Sequence, residues 1–173
     1  MSRNLWLKIH LFLVGLFLPL LFIIPLSGTQ YLLGIKGEAV KTDAFSVETP
    51  YTTDADVIRA LFKTQKVDFD FEYVKSRGNH SVLRPATRDH YEVHKTDTGM
   101  TFKKVEPNWI KILQELHFGH GPKLMKKVQI AFGIAFFLLI LSGMILTLSL
   151  KKRLPLFGAA FGLGLIVMVV ASL

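Results

Sequence analysis

The residues of this chain best suited to chemistry are its six histidines, which fall into two groups. His10, His117 and His120 stand at the borders of long apolar stretches, while His80, His90 and His94 lie in a polar middle segment. Imidazole is a standard axial ligand of haem iron. His10 lies in the first turn of an apolar run, where ionisable groups are costly and usually face the protein interior. It reads either as an interfacial histidine bonded to water and headgroups or as an axial haem ligand. His117 and His120 are three residues apart and share a face if one helix carries both. Side chains on one face cannot fill the two opposite axial positions of one haem. They would instead hold a non-haem metal ion together, or one would ligate haem while the other gates or donates protons. The plain alternative is a pair of histidines complementing the dipole of a helix C-terminus. His90, Glu92 and His94 alternate along one strand. Two imidazoles and a carboxylate suit iron or zinc, but i, i+2, i+4 positions spread over about 13 Å, too far for one ion. These three read as a solvated strand face, as do Asp68, Asp70 and Glu72. Nothing resembles a nucleophile with its base, a phosphate loop or a nucleic-acid stacking platform.

Long apolar elements must position these groups. The chain has 173 residues, half of them apolar, a mean hydropathy of +0.38 and no cysteine. That excludes disorder, a disulfide scaffold and any thiolate metal or redox site. The net charge of +8 comes largely from lysines flanking apolar stretches, and no basic run is long enough to track nucleic acid. About 20 apolar residues cross a bilayer as helix. Three stretches qualify: Trp6 to Leu26, Val128 to Leu150 and Leu154 to Leu173. Lys151, Lys152 and Arg153 join the last two as a tight hairpin. Ser27-Gly28-Thr29 resembles a cleavage site, but the run before it exceeds the 7–15 residues of a signal core, so it reads as an uncleaved anchor. Arg3, Lys8 and residues 151–153 favour a cytoplasmic N-terminus and an outer loop, with Lys36, Lys41, Lys123, Lys126 and Lys127 on the loop side counting against it; in a bacterium the loop would be periplasmic. The expected organisation is an N-terminal transmembrane helix (1–33), an extracytoplasmic α+β domain (34–122) and a transmembrane hairpin (123–173).

Within the loop, Thr53-Asp54-Ala55-Asp56 predicts a helix start with a hydroxyl cap, followed by an apolar stripe of Val57, Ile58, Leu61 and Phe62. Val67 to Val74 alternates, with Phe69, Phe71 and Tyr73 on one face, and predicts a half-buried strand. Ser76 to Asn79 predicts a turn. Strands are expected at His80 to Leu83, Asp89 to Lys95 and Met100 to Val105, the last two joined by a turn at Asp97-Thr98-Gly99. Pro107 opens a helix with Trp109, Leu113 and Leu116 on one face, ended by Gly119 and Gly121-Pro122. The loop thus reads helix, antiparallel meander, helix.

One triplet recurs. Leu26-Ser27-Gly28 closes the first span and Leu141-Ser142-Gly143 lies near the exit of the second. Small residues of this kind let helix backbones approach closely. Trp6-Leu7-Lys8-Ile9-His10, then Gly15 and Leu26-Ser27-Gly28, resembles the opening helix of PepSY-associated transmembrane proteins. Glu115-Leu116-His117, then Gly121 and Leu141-Ser142-Gly143, resembles their second helix, and the loop matches their small extracytoplasmic module. The resemblance covers residues 6–150. It implies an inner-membrane ferric or ferric-siderophore reductase, or an accessory protein of iron uptake. By the same resemblance His10 would ligate the iron of a cytoplasmic-side haem b and His117 that of an outer-side one, with ferric iron or a ferric chelate as substrate. Larger members supply partner histidines from further helices; here the third span carries no histidine. His10 and His117 would lie a membrane thickness apart, about 30 Å, so bis-histidine ligation requires a homodimer or another membrane subunit. No nicotinamide or flavin motif is present, so a quinol or a flavoprotein would donate electrons. Two other readings are a membrane-anchored PepSY binding or regulatory module without cofactor, and a small subunit of a membrane complex docking through Gly158, Gly162 and Gly164.

Overall fold

The structure is a computed structural model and describes residues 3–173. The chain divides into two compact units, one formed by residues 1–21 with 131–173, the other by residues 22–130. Two helices, α1 (Arg3–Leu32) and α4 (Lys123–Leu148), contribute residues to both.

The first unit is helical. α4 turns Phe132, Ala135, Leu139 and Ser142 inward, a three-and-four spacing that makes one stripe on a helix. Phe132 meets Phe17 of α1, ring centroids 5.7 Å apart. A short 3-10 turn at Lys151–Arg153 leads into α5 (Leu154–Ser172), which buries no residue within the structure. Three helical segments, Arg3–Leu32, Lys123–Leu148 and Lys151–Ser172, are long and apolar enough to cross a membrane. Their outer faces expose Leu11, Phe12, Phe22, Phe137, Phe161 and Ile166 among others. Apolar surface this continuous marks contact with lipid or with another chain.

The second unit carries a five-stranded antiparallel sheet of order β1-β5-β4-β3-β2. Its strands are β1 (Ala39–Val47), β2 (Tyr73–Arg77), β3 (His80–Arg84), β4 (His90–Lys95) and β5 (Met100–Pro107). α2 (Ala55–Thr64) lies between β1 and β2, and α3 (Trp109–His117) follows β5. Ile58 and Phe62 of α2 pack on one face of the sheet against Phe71, Leu83, Tyr91, Val93, Met100 and Phe102. Phe62 is the hub, edge-on to Phe45, Tyr91 and Phe102 at 5.4, 4.9 and 5.3 Å. Edge-to-face rings match the positive rim of one to the negative face of the next. The opposite face carries the polar residues of the same strands, among them Lys41, Arg84, His90 and Glu92.

Several expectations need correction. β1 was not foreseen. Its residues alternate poorly because a bulge between Asp43 and Phe45 shifts the register, and an inserted residue breaks a period-two pattern. Val67 to Val74 is not one strand. Residues 67–72 belong to no strand, and β2 begins at Tyr73 and runs through Arg77. Phe71 is buried in the core as its alternation demands, whereas Tyr73 lines a cavity with Lys75 and Arg84. The cap of α2 is Asp54, whose carboxylate accepts from the backbone N–H of Asp56 at 2.8 Å, not a hydroxyl. Val57 and Trp109 are exposed. In α3 it is Gln114 that is buried, donating its side-chain amide to the Ile35 carbonyl.

Candidate functional site

Two histidines meet two serines. In the first unit, Nδ1 of His10 on α1 lies 2.9 Å from Oγ of Ser142 on α4. Ser142 is fully buried, and its hydroxyl donates to the Leu139 carbonyl at 3.0 Å. With that hydrogen committed, Oγ accepts from the ring, so Nδ1–H is the donor, and in the neutral ring the lone pair lies on Nε2.

The second unit repeats the arrangement. His117, the last residue of α3, places Nδ1 3.0 Å from both Ser27 Oγ and the Ile24 carbonyl of α1. Ser27 is buried and donates to the same Ile24 carbonyl at 3.0 Å. A carbonyl only accepts, so Nδ1–H of His117 is the donor, and in the neutral ring the lone pair again lies on Nε2. The glycine after each serine faces the ring. A Cβ at Gly28 would stand 3.2 Å from Cε1 of His117, and one at Gly143 would stand 3.7 Å from Cε1 of His10. The recurring Leu-Ser-Gly triplet is thus more than helix packing. It provides a hydroxyl that fixes the imidazole tautomer and a side-chain-free patch beside the ring.

A cavity of about 250 Å³ borders His117, lined by Ser27, Gly28, Tyr31, Leu32, Gln114 and Phe118. A second, open one of about 330 Å³ lies toward Ile24, Gln129 and Ile130. Both walls are largely apolar, with Tyr31 and Phe118 edge-on at 5.5 Å.

His120 is not brought beside His117. α3 stops at His117 and the chain turns through Gly119, whose φ of +72° suits glycine. His120 Nδ1 instead lies 2.6 Å from Glu115 Oε2. Glu115 also receives Arg84 at 3.0 Å and Lys111 at 3.1 Å. Burial alone would raise its carboxyl, but the bonds from His120, Lys111 and Arg84 outweigh this and hold it below the usual carboxylate range.

On β4, His90 is buried and its Nδ1–H donates to the Arg88 carbonyl at 2.9 Å. Burial pushes its pKa down. Glu92 binds Lys41 and His94 at 2.7 and 3.1 Å. These bonds overcome the upward push of burial and lower its carboxyl. His80 and His94 sit opposite each other across β3 and β4, rings stacked at 5.7 Å. Glu72 accepts from the backbone N–H of Lys123 at 2.7 Å, satisfying an orphan donor in the first turn of α4. Among the described residues, no three histidine or acidic side chains are grouped to hold a metal ion.

Compared with family models, with curated proteins and with solved structures, the chain has no significant match.

Proposed function

We propose that this protein is a bacterial inner-membrane haem protein that passes electrons to ferric iron or ferric chelates in the periplasm, in support of iron uptake. The observation that carries the reading is the repeated histidine–serine pair. Each imidazole has Nδ1–H held by a hydroxyl, and at His117 also by a carbonyl, which in the neutral ring leaves the lone pair on Nε2. Metal-binding histidines are oriented in this way, with the second ring nitrogen donating to an acceptor.

The residues fit haem in their donor chemistry. His10 and His117 would each offer an imidazole nitrogen to hold haem iron, Ser142 and Ser27 would fix the rings, and Tyr31, Leu32 and Phe118 would form an apolar wall beside His117. Haem b, when bound, supplies reversible one-electron chemistry. Each site offers a single imidazole, so a second copy of this chain or another membrane subunit would complete the ligand set. In this reading His120 has no part in holding the haem, its ring being hydrogen-bonded to Glu115 instead. A quinol or a partner flavoprotein would be the electron donor. The resemblance to PepSY-associated proteins points the same way.

The test is a dithionite-reduced minus air-oxidised spectrum of the protein purified in detergent from haem-sufficient cells. Sharp b-type α and Soret bands are expected, and His10→Ala and His117→Ala should each remove one component of the redox titration. A featureless spectrum from folded protein would overturn the proposal in favour of a cofactor-free PepSY-like binding module or an accessory subunit.

A further inference from the structure

Arg84, at the end of β3, poses a separate question. Its side chain is 9% exposed, and Nη1 binds Glu115 at 3.0 Å. Its Nε–H is buried without a partner. A buried donor left unmade is costly, so such groups usually have a function or a ligand.

Arg84 forms one wall of a cavity of about 260 Å³, whose other walls are Tyr73 and Lys75 of β2 and Phe118, Gly119, His120 and Lys126 from the segment joining α3 to α4. No carboxylate lines this cavity. Glu115, the nearest acid to Arg84, already serves Arg84, Lys111 and His120. Among the described residues, neither Lys75 nor Lys126 forms an ion pair. Two lysines without a counter-charge among the described residues therefore line the cavity beside Arg84, whose carboxylate partner Glu115 is shared with Lys111 and His120. A concavity lined by one sign of charge concentrates the opposite ion, and charge-assisted bonds to phosphate or carboxylate are the strong ones. The volume is several times the ~30 Å³ share of a water molecule. That admits a phosphate or a small carboxylic acid, with Tyr73 and Phe118 as the apolar side of the cradle.

We propose that this cavity is an oxyanion site, in which Lys75, Lys126 and Nε–H of Arg84 receive a phosphate or carboxylate group. The group has two possible sources, a phospholipid headgroup or a soluble acid. Lys126 lies in the first turn of a helix apolar enough to cross a membrane, so lipid phosphate is one of them.

The test uses the full chain in detergent, delipidated, and the double variant Lys75→Gln/Lys126→Gln, which leaves the Arg84–Glu115 pair in place. Thermal midpoints are read against added inorganic phosphate, citrate and short-chain phosphatidylglycerol, with chloride at matched ionic strength as control. A saturable rise in the parent, with binding at least about tenfold weaker in the variant, is expected. A rise with phosphate or citrate assigns a soluble ligand; a rise with phosphatidylglycerol alone assigns a lipid headgroup. No rise beyond chloride with any of the three, or an equal rise in the variant, overturns the proposal. A variant that fails to fold is replaced by Lys126→Gln alone, read in the same way.

Discussion

Two glycines with the same neighbours differ in how much room they leave. A methyl at Gly28 would press on Cε1 of His117 at 3.2 Å, closer than ordinary contact, whereas at Gly143 the distance to His10 is an ordinary 3.7 Å. Alanine is also the better helix former by about 1 kcal/mol. Gly143→Ala should therefore keep or raise the thermal midpoint and leave the His10 environment unchanged. Gly28→Ala should displace the His117 ring, seen as a shifted histidine resonance or an altered haem band. Equal behaviour of the two variants would contradict the geometry. At this scale the sequence was legible in part. The histidine at the start of the first span and the repeated Leu-Ser-Gly were visible, but not which histidine meets which serine. Those pairs are 132 and 90 residues apart, and no local periodicity encodes contacts at that separation. The Arg84–Glu115 pair was invisible for the same reason.

Among the elements, α3 depends most on one cluster. Glu115 is 13% exposed and neutralises Arg84, 9% exposed, across the gap to β3. Removing one partner of a buried pair leaves the other charged and unpaired, at a cost of about 3 kcal/mol or more. Glu115→Gln should lower stability by that order in detergent-based denaturation, and Lys111→Gln, which removes only a part-exposed partner, by about 1 kcal/mol or less. A loss for Glu115→Gln no larger than that for Lys111→Gln would show that the pair is not what holds α3. Elements with strong local signals were readable. The stretches that become α2, β3, β4, β5 and the long apolar helices matched their patterns to within a few residues. β1 and the true extent of β2 were not readable. β1 is bulged, and the regular alternation ahead of β2 belongs to a segment outside the sheet whose phenylalanines pack on the core.

Taken whole, the second unit should be acid-sensitive in two stages. Burial lowers the pKa of His90, with the charge of Arg84 adding to the effect. The unfolded chain therefore takes up the proton first, and stability that is full above about pH 6.5 falls as pH drops below it. Glu92 and Glu115 have lowered carboxyls, so their contribution is full above about pH 4.5 and disappears only as pH falls further. Thermal midpoints between pH 7.5 and 5 should decline in the parent and stay flatter in His90→Gln; parallel curves would remove His90 from the account. The helix-plus-sheet layout was legible from hydropathy and periodicity. The sheet order was not, because it depends on β1 returning to pair with β5.

That pairing has a mechanical consequence. β1 follows α1 and β5 precedes α3, so the register from Ala39 opposite Pro107 to Val47 opposite Met100 fixes where one helix ends relative to the start of the next. Asn108 N–H donating to the Glu38 carbonyl at 2.9 Å extends the same seam toward α3. The two strands work as a vernier. A slip of two residues keeps every side chain on its proper face, yet shifts one strand by about 7 Å, enough to take Ser27 out of reach of His117. The bulge at Asp43 and Phe45 is the stop on that scale. An irregularity that hid β1 in the sequence thereby sets the tolerance of a histidine site built on neither strand.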